Sequence, residues 1–210
     1  MPPNLLLFDC DGVLVDSEIL GNKILVEAVA EHGLYLTLEE ALRTFRGGKM
    51  AECVALLEKR LGRTLPEDFV PEIRRRTDDA FRSALEAVPG ALDLVRTLTG
   101  AKCVVSNGPR TKIELSLSVT GLFPYFQNHI FSAYEVGVWK PDPGLFLHAA
   151  QAMGVAPEHC AVVEDSMSGI RAGLAAGMKV FALQQHESEV DLPEEVVVIR
   201  SLAELPSLLA

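Results

Sequence analysis

The sequence predicts an α/β protein with a Rossmann-like, three-layer parallel-sheet core and a helical cap domain inserted after the first strand. Two observations predict this fold. Short apolar runs alternate with helix-like stretches, which is the pattern of a buried parallel sheet with helices on both faces. Between about residues 17 and 85 the alternation gives way to helical patterns alone. A chain of 210 residues is long enough for one well-buried domain and a smaller second one.

Six short apolar runs are the candidate strands. They are "LLLF" at 5–8, "CVV" at 103–105, "HIF" at 129–131, "CAVV" at 160–163, "VFAL" at 180–183 and "VVVI" at 196–199. Most of the helix-like stretches between them end in glycine, as helices commonly do. In sheets of this kind, ligands bind outside the carboxyl ends of the strands.

The helical region begins with an amphipathic pattern, "SEILGNKILVEAVAEHG", and Gly33 lies just past its end. Thr37 and Glu40 have capping-box spacing for a second helix. Two further helical segments are "MAECVALLEKRLG" and "PEDFVPEIRRRTDDAFRSALEAV", and Pro71 is a candidate break in the latter. The arginines at 74–76 are expected to form a solvated helix face.

This order of patterns divides the chain into two domains. We expect residues 1–16 and 86–210 to form the core, and residues 17–85 to form a cap over the carboxyl ends of its strands. The two linkers would lie near Asp16 and near Val88-Pro89.

Composition restricts the partners and the compartment. The formal net charge of -10 argues against nucleic acid and anionic membranes, which require a basic surface. A small anionic substrate stays possible, because a few local cations can decide its binding. The four cysteines are widely spaced without a C-x-x-C pair, and the start shows no signal peptide, so we expect free thiols in the cytoplasm. The oligomeric state is left open, with a monomer as one plausible state.

The first candidate strand runs into two acids, Asp9 and Asp11. Because side chains alternate along an extended chain, both point to the same side. Two converging carboxylates repel unless a divalent cation holds them or one is protonated. The alternatives are an Asp-Gly hairpin turn and a calcium loop, although the D-x-D-x-D-G order of the latter is not met.

Polar groups follow other candidate strands as well. In "VSNGPRTK", the Ser106 hydroxyl and the backbone N–H groups of a helix start would form an anion site. Lys140 in "WKPDP" could serve a phosphate oxygen and its carboxylate neighbours. Glu164 and Asp165 in "VVEDSMSG" could complete a magnesium site. Taken singly, each has a simpler interpretation as a turn, a surface lysine or a helix cap.

The order Asp-x-Asp, Ser, Lys and an acid pair, in "FDCDGVLVDSE", "VVSNGP", "WKPDP" and "EDSMSG", resembles the haloacid dehalogenase superfamily. Within it, the chain is similar to the branch that contains β-phosphoglucomutase and many sugar-phosphate phosphatases. The resemblance implies a phosphoric monoester hydrolase that uses Mg²⁺ and a small phosphorylated substrate. It implies that Asp9 is the nucleophile, which forms an aspartyl phosphate, and that Asp11 is the general acid and then the base.

The resemblance also implies the remaining site residues. Mg²⁺ would be held by the Asp9 carboxylate, the Asp11 backbone carbonyl and Asp165, with Glu164 nearby. Phosphoryl charge would be stabilised by Ser106, Asn107 and Lys140.

The loop "FRGGKM" in the predicted cap carries Arg46 and Lys49. By the same resemblance it points into the active site, where one of the two cations could meet a second substrate anion. That interpretation favours a phosphorylated sugar acid, such as 6-phosphogluconate, over a neutral sugar phosphate. The alternative is that both are solvated surface charges.

The sequence leaves two other functions open. Mutases of this branch carry a histidine just after the D-S/T-E stretch and an arginine in the cap loop, where this chain has Ile19-Leu20-Gly21 and Met50. A non-enzymatic phospho-accepting module would have no reason for an acid two residues after its nucleophile, or for a cap. Trp139 is expected to pack beside the Lys140 loop.

Overall fold

The computed structural model describes residues 2–45, 48–184 and 192–209. The strands within these ranges are β1 Leu5–Phe8, β2 Ala101–Ser106, β3 Ile130–Ser132, β4 Cys160–Glu164, β5 Lys179–Leu183 and β6 Val197–Ile199. They form one parallel sheet in the order β3-β2-β1-β4-β5-β6. Each predicted apolar run coincides with or overlaps one of these strands, and the predicted fold class is confirmed.

The helices between and after the strands are mostly short. Their bounds are α1 Glu18–Glu31, α2 Leu38–Phe45, α3 Met50–Leu61, α4 Phe69–Ala84, α5 Ala91–Thr97, α6 Arg110–Val119, α7 Ala133–Val136, α8 Gly144–Ala152, α9 Met167–Ala175 and α10 Leu205–Leu208. Helices α5, α6 and α10 pack on one face of the sheet, and α8 and α9 pack on the other. The core therefore has three layers.

Strand β1 shows why its sequence forms a central strand. All four of its residues are buried and apolar. Leu6 and Phe8 contribute to the cluster under α5 and α6, whereas Leu5 and Leu7 contribute to the cluster under α8 and α9. This alternation is the two-residue period of a strand that is covered on both faces. It also fixes the register that brings Asp9 out of the end of the sheet.

Helices α1 to α4, which we call the helical insert, pack around a hydrophobic cluster of their own. The predicted capping box is present, because Glu40 N–H donates to Thr37 Oγ1 and Thr37 N–H donates to Glu40 Oε2. Pro71 does not break α4. It lies in the first turn of that helix, where a backbone N–H has no partner within the helix.

Two neighbouring linkers join the insert to the sheet. Val15 and Ala87 pair as an antiparallel bridge. Asp16 N–H donates to Glu86 O at 2.9 Å, and Val88 N–H donates to Leu14 O at 3.0 Å. The two segments thus lie side by side. The domain division at residues 16/17 and 85/86 stays a prediction.

All four cysteines are free and buried, as expected from their apolar contexts. Burial raises the pKa of the Cys103 thiol and, to about 11, that of Cys53. Within the described ranges, no helix has the length and apolar character needed to cross a membrane. The cytoplasmic compartment stays a prediction.

Candidate active site

The candidate site lies where three neighbouring strands end. Strand β1 is followed by Asp9 and Asp11, β2 ends at Ser106, and β4 ends at Glu164. Because β1 lies between β2 and β4, these side chains converge at one edge of the sheet. They line a cavity whose opposite wall comes from the helical insert.

Lys140 reaches this edge from the loop before α8 and is almost completely buried. Its ammonium donates to Asp9 Oδ1 at 2.7 Å, to the Val105 carbonyl at 2.7 Å and to Glu164 Oε1. All three ammonium hydrogens therefore have protein acceptors. Burial works to lower the pKa of Lys140, but its attraction to Asp9 and Glu164 raises it above the usual value, so the lysine is a fixed cation.

Asn107 holds the Lys140 loop against the end of β2. Its Oδ1 accepts from Lys140 N–H at 2.9 Å, and its Nδ2 donates to the Lys140 carbonyl at 3.2 Å. The Asn107 side chain therefore fixes the backbone of Lys140, and this places the lysine ammonium beside Asp9.

Asp9 and Asp11 have opposite electrostatic environments. Burial raises the pKa of Asp9 well above its usual value, and Glu164, Asp165 and Asp11 raise it further, while Lys140 opposes them. Burial also works to raise the pKa of Asp11, but Lys112 and a hydrogen bond from Ser17 bring the net shift below the ordinary value.

Ser17 and Lys112 contact Asp11, although no role for either is predicted from the sequence. Lys112 Nζ lies 2.9 Å from Asp11 Oδ1 and 2.8 Å from Asp11 Oδ2. Ser17 Oγ donates to Asp11 Oδ1. Both residues stand inside the motifs quoted above, but the contacts depend on tertiary packing, and no spacing rule in the sequence reveals them.

Oxygen atoms of Asp9, Glu164 and Asp165 all lie within 4.8 Å of one another. Carboxylate oxygens are the ligands that Mg²⁺ prefers, so the donor set fits that ion. Glu164, however, already accepts hydrogen bonds from protein donors on both carboxylate oxygens. Its Oε1 accepts from Lys140, and its Oε2 accepts from the Ser166 hydroxyl at 3.0 Å and from the N–H groups of Asp165 and Ser166.

Two glycines permit the close approach of these acids. A Cβ atom on Gly12 would lie 2.1 Å from Asp165 Oδ2, and one on Gly169 would lie 1.8 Å from Glu164 Oε1. Gly12 also has a φ of +78°, which other residues rarely adopt. The Asp11-Gly12 pair after β1 therefore leaves room for the Asp165 carboxylate and does not form a hairpin turn.

Helices α1 and α4 both contribute to the wall formed by the insert, and one face of α4 presents Arg74, Thr77, Asp78 and Phe81. This spacing places all four side chains along one side of the helix. Arg74 is exposed, as expected for the arginine run, and it also lines the cavity. Its Nη2 donates to the Tyr134 hydroxyl at 3.1 Å across the cavity mouth.

A family model described as haloacid dehalogenase-like hydrolase matches residues 3–177. The chain belongs to this hydrolase family. It is 38% identical to the 6-phosphogluconate phosphatase of Escherichia coli (strain K12), over 96% of this chain and 92% of that relative. The expectation of a phosphoric monoester hydrolase of the haloacid dehalogenase type is confirmed.

Solved structures of the family superimpose on nearly the whole chain. A hydrolase of Deinococcus radiodurans R1, crystallised with phosphate and sodium, is 32% identical with a TM-score of 0.77, over 99% of this chain and 95% of that one. A hydrolase of Bacillus subtilis bound to magnesium is 25% identical with a TM-score of 0.78, over 100% and 99% of the two chains.

Arg46 and Lys49 are the two loop cations that were predicted to contact substrate in this haloacid dehalogenase-like chain. Arg46 lies outside the described residues. Lys49 places its ammonium 3.9 Å from the ring centroid of Trp139, which packs edge-on against Tyr134. Lys49 thus contacts the sheet-bearing part of the protein, and it is not among the residues that line the cavity. Substrate roles for both cations stay predictions.

Proposed function

We propose that the protein is a Mg²⁺-dependent phosphatase that hydrolyses a small phosphorylated sugar or sugar acid through an aspartyl phosphate on Asp9. The convergence of Asp9, Asp11, Lys140 and Asp165 at one end of the cavity carries this proposal. The 6-phosphogluconate phosphatase among the relatives adds support, because its name specifies a phosphorylated sugar acid as substrate.

In the first step, an Asp9 carboxylate oxygen forms a bond to phosphorus while the bond from phosphorus to the sugar oxygen breaks. Lys140 keeps Asp9 oriented through its 2.7 Å hydrogen bond. Asp11, in its protonated form, gives a proton to the departing sugar oxygen. In the second step, the Asp11 carboxylate takes a proton from the water that attacks the aspartyl phosphate, which releases phosphate and restores Asp9.

Hydrogen-bond donors for the transferred phosphoryl group lie at the end of β2. Ser106 Oγ accepts from Gly108 N–H at 3.0 Å, so its own hydrogen can be donated to a phosphoryl oxygen. Helix α6 begins beside it with no side chain that caps its first turn. Free N–H groups and the helix dipole favour an anion at that point. Asn107 would contribute its backbone N–H, since its side chain is used by Lys140.

Asp9, Asp165 and the Asp11 backbone carbonyl are the groups that would hold Mg²⁺. When bound, the cation offsets repulsion among the acids and charge on the phosphoryl oxygens. Glu164 would act differently, because its contacts with Lys140 and Ser166 make it the anchor of the lysine. We therefore assign Glu164 to the lysine and not to the metal.

We assign the helical insert as a cap that covers the cavity and excludes water from the first step. It is connected through the paired linkers at Val15 and Ala87. The positions that bear on a mutase are Ile19-Leu20-Gly21 and Met50, and none has a titratable side chain. Of these, Gly21 and Met50 line the cavity. The geometry therefore favours hydrolysis over phosphoryl return to a second substrate oxygen.

The substrate class follows from the cations in the cavity. Among the described residues that line it, the cations are Arg74, Lys112 and Lys140. Lys112 and Lys140 already face Asp11 and Asp9, whereas Arg74 donates to a neutral phenol. A carboxylate at the end of the substrate remote from the phosphate could take this planar donor. We therefore infer a preference for phosphorylated sugar acids.

The direct test is hydrolysis of p-nitrophenyl phosphate and a panel of sugar and sugar-acid phosphates, with Mg²⁺ and with excess EDTA. We expect turnover with Mg²⁺, loss of turnover in EDTA, and recovery when Mg²⁺ is restored. The thermal midpoint should rise when Mg²⁺ is added, because ligand binding stabilises the folded state. Full activity in EDTA would contradict the metal requirement.

A further inference from the structure

Lys112 is a partly buried cation that the proposed chemistry does not yet use. It is the third residue of α6, whose first residue is Arg110. Its side chain is 30% exposed and that of Asp11 is 18% exposed. The ammonium contacts both carboxylate oxygens of Asp11, at 2.9 and 2.8 Å.

The position is unfavourable for a lysine unless it has a specific partner. A cation in the first turn of a helix opposes the helix dipole. Partial burial adds a desolvation cost. The Asp11 carboxylate offsets both effects, since the ammonium lies within 2.9 Å of both of its oxygens. The contact is therefore a paired arrangement and not an accidental approach of a flexible surface side chain.

The two catalytic acids are held by separate lysines. Lys140 joins Asp9 to Glu164, and Lys112 is bound to Asp11. The Ser17 hydroxyl also donates to Asp11, but only to Oδ1. Without Lys112, Oδ2 would lose its ammonium donor, and the carboxylate could rotate about its Cβ–Cγ bond.

Lys112 also lies at the boundary with the insert. Its ammonium is 5.7 Å from the ring centroid of Phe81 on α4. Both residues line the cavity. The contact limits where the ammonium can move when the insert covers the site.

We propose that Lys112 is a positioning residue that fixes the Asp11 carboxylate at the angle needed to reach the leaving-group oxygen, an inference that rests on the acid/base role proposed for Asp11. Its effect should therefore appear in reactions that need proton transfer to the leaving group. The competing explanation is that Lys112 attracts anionic substrates, which would affect all phosphate esters equally.

The first experiment compares two substrates in Lys112→Met. Since kcat/KM reports the steps through formation of the aspartyl phosphate, it isolates the step in which Asp11 acts as an acid. General acid catalysis is worth about 10²–10⁴-fold, and we expect loss of roughly 10- to 100-fold for a sugar phosphate. p-Nitrophenyl phosphate, whose leaving group needs little protonation, should change by less than about threefold. Lys102→Met is the matched control, because Lys102 donates to the Leu98 carbonyl away from the site.

A second experiment asks whether Lys112 acts through Asp11. Lys112→Met is introduced into Asp11→Asn, and the sugar-phosphate kcat/KM is measured for all four members of the cycle. We expect the lysine substitution to have little further effect once the carboxylate is gone. The same loss in both backgrounds, or equal losses on both substrates in the single variant, would overturn the proposal.

A third variant covers the case in which Lys112→Met does not fold. Lys112→Arg keeps the charge but changes the position of the donors, so it should fold and recover part of the sugar-phosphate activity, with p-nitrophenyl phosphate unaffected. Parallel losses on both substrates in this variant would also overturn the proposal. The proposed role of Asp11 fails separately, if Asp11→Asn alone turns over sugar phosphates near the wild-type rate.

Discussion

At the scale of single residues, the site gives different electrostatic environments to Asp9 and Asp11, which are only two positions apart in sequence. Asp9 faces Lys140 and the other acids, and its pKa is raised, chiefly by burial. Asp11 faces Lys112 and Ser17, and its pKa is lowered against the effect of burial. The two carboxylates thus have different partners, with Lys140 bound to Asp9 and Lys112 and Ser17 bound to Asp11.

Substitution of the two acids should give different kinetic results. Asp9→Ala should abolish turnover of every phosphate ester, because Asp9 is the proposed attacking group and the thiol of the next residue, Cys10, is completely buried in the core. Asp11→Asn should reduce kcat/KM for sugar phosphates by about 10²–10⁴-fold and affect p-nitrophenyl phosphate much less. Steady-state kinetics on both substrates check this, with the Lys102→Met protein as control. Asp9→Ala that retains turnover would contradict the assignment of the nucleophile.

Gly169 should be intolerant of alanine although it lies inside α9. Alanine normally stabilises a helix relative to glycine by about 0.5–1 kcal/mol. Here a Cβ would lie 1.8 Å from Glu164 Oε1, and Glu164 is completely buried. Displacing that carboxylate from Lys140 should cost about 3 kcal/mol or more and reduce activity with it. Urea unfolding and kinetics measure the two effects.

Gly21→Ala is the matched control for the Gly169 variant. Gly21 lies in α1, and a Cβ added there would have no neighbouring atom within 4 Å. The same substitution should leave stability unchanged or raise it slightly. If Gly169→Ala behaves like Gly21→Ala, the close packing of Glu164 is not what fixes Lys140.

At the scale of elements, the sequence identifies the strands well because each is a short apolar run covered on both faces. "LLLF" at 5–8 coincides with β1, and "HIF" at 129–131 overlaps β3 by two residues. The break predicted at Pro71 is absent, since proline is tolerated in the first turn of a helix and α4 begins at Phe69. A strand that is a continuous apolar run can be predicted from local sequence, whereas the residue at which a helix begins is predicted less well.

The candidate site is predicted only in part, for a related physical reason. The strand-end residues Asp9, Ser106 and Asp165 converge because parallel strands end at the same edge. The contacts of Lys112 and Arg74 join residues 101 and 60 positions apart in sequence. Such contacts depend on how α6 and α4 pack over the edge, which no local pattern specifies.

The insert should also behave as a separate unit of stability. Leu57 is completely buried in the cluster formed by α1 to α4. Leu57→Ala should cost about 2–5 kcal/mol in that unit. In native-state hydrogen exchange, protection should fall in α1 to α4 and persist in β1 and β4.

Leu7→Ala provides the reciprocal control, because Leu7 is completely buried in the sheet. It should lower protection in the strands. If both variants lower protection uniformly across the chain, the two parts unfold as one cooperative unit. The proposed division near residues 17 and 85 would then not separate two independently unfolding units.

At the scale of the whole molecule, an acidic protein must bind an anionic substrate. The formal net charge is -10. Distant surface charges are screened over about 8–10 Å in physiological salt, so cations inside the cavity dominate. In the proposed function Lys140 and the helix start of α6 serve the phosphate end, and Arg74 lies on the wall formed by the insert. This arrangement suits a substrate with one anion at each end.

The substrate preference can be tested with Arg74→Ala. A hydrogen bond to a charged group is worth about 1.5–3 kcal/mol, so loss of Arg74 should lower kcat/KM for 6-phosphogluconate by roughly 10- to 100-fold. Glucose 6-phosphate, which lacks the carboxylate, should be affected much less. Arg75→Ala is the control, because Arg75 lies on the same helix but pairs with Glu72 and Asp79 at the surface.

Arg46→Ala and Lys49→Ala belong in the same series as Arg74→Ala, since a selective loss in either would move the carboxylate contact to the α2–α3 loop. Equal losses on both substrates in all three variants, or a wild-type preference for the neutral sugar, would refute the sugar-acid assignment. The phosphatase chemistry proposed at Asp9 would be unaffected by that result, because it depends on the opposite end of the cavity.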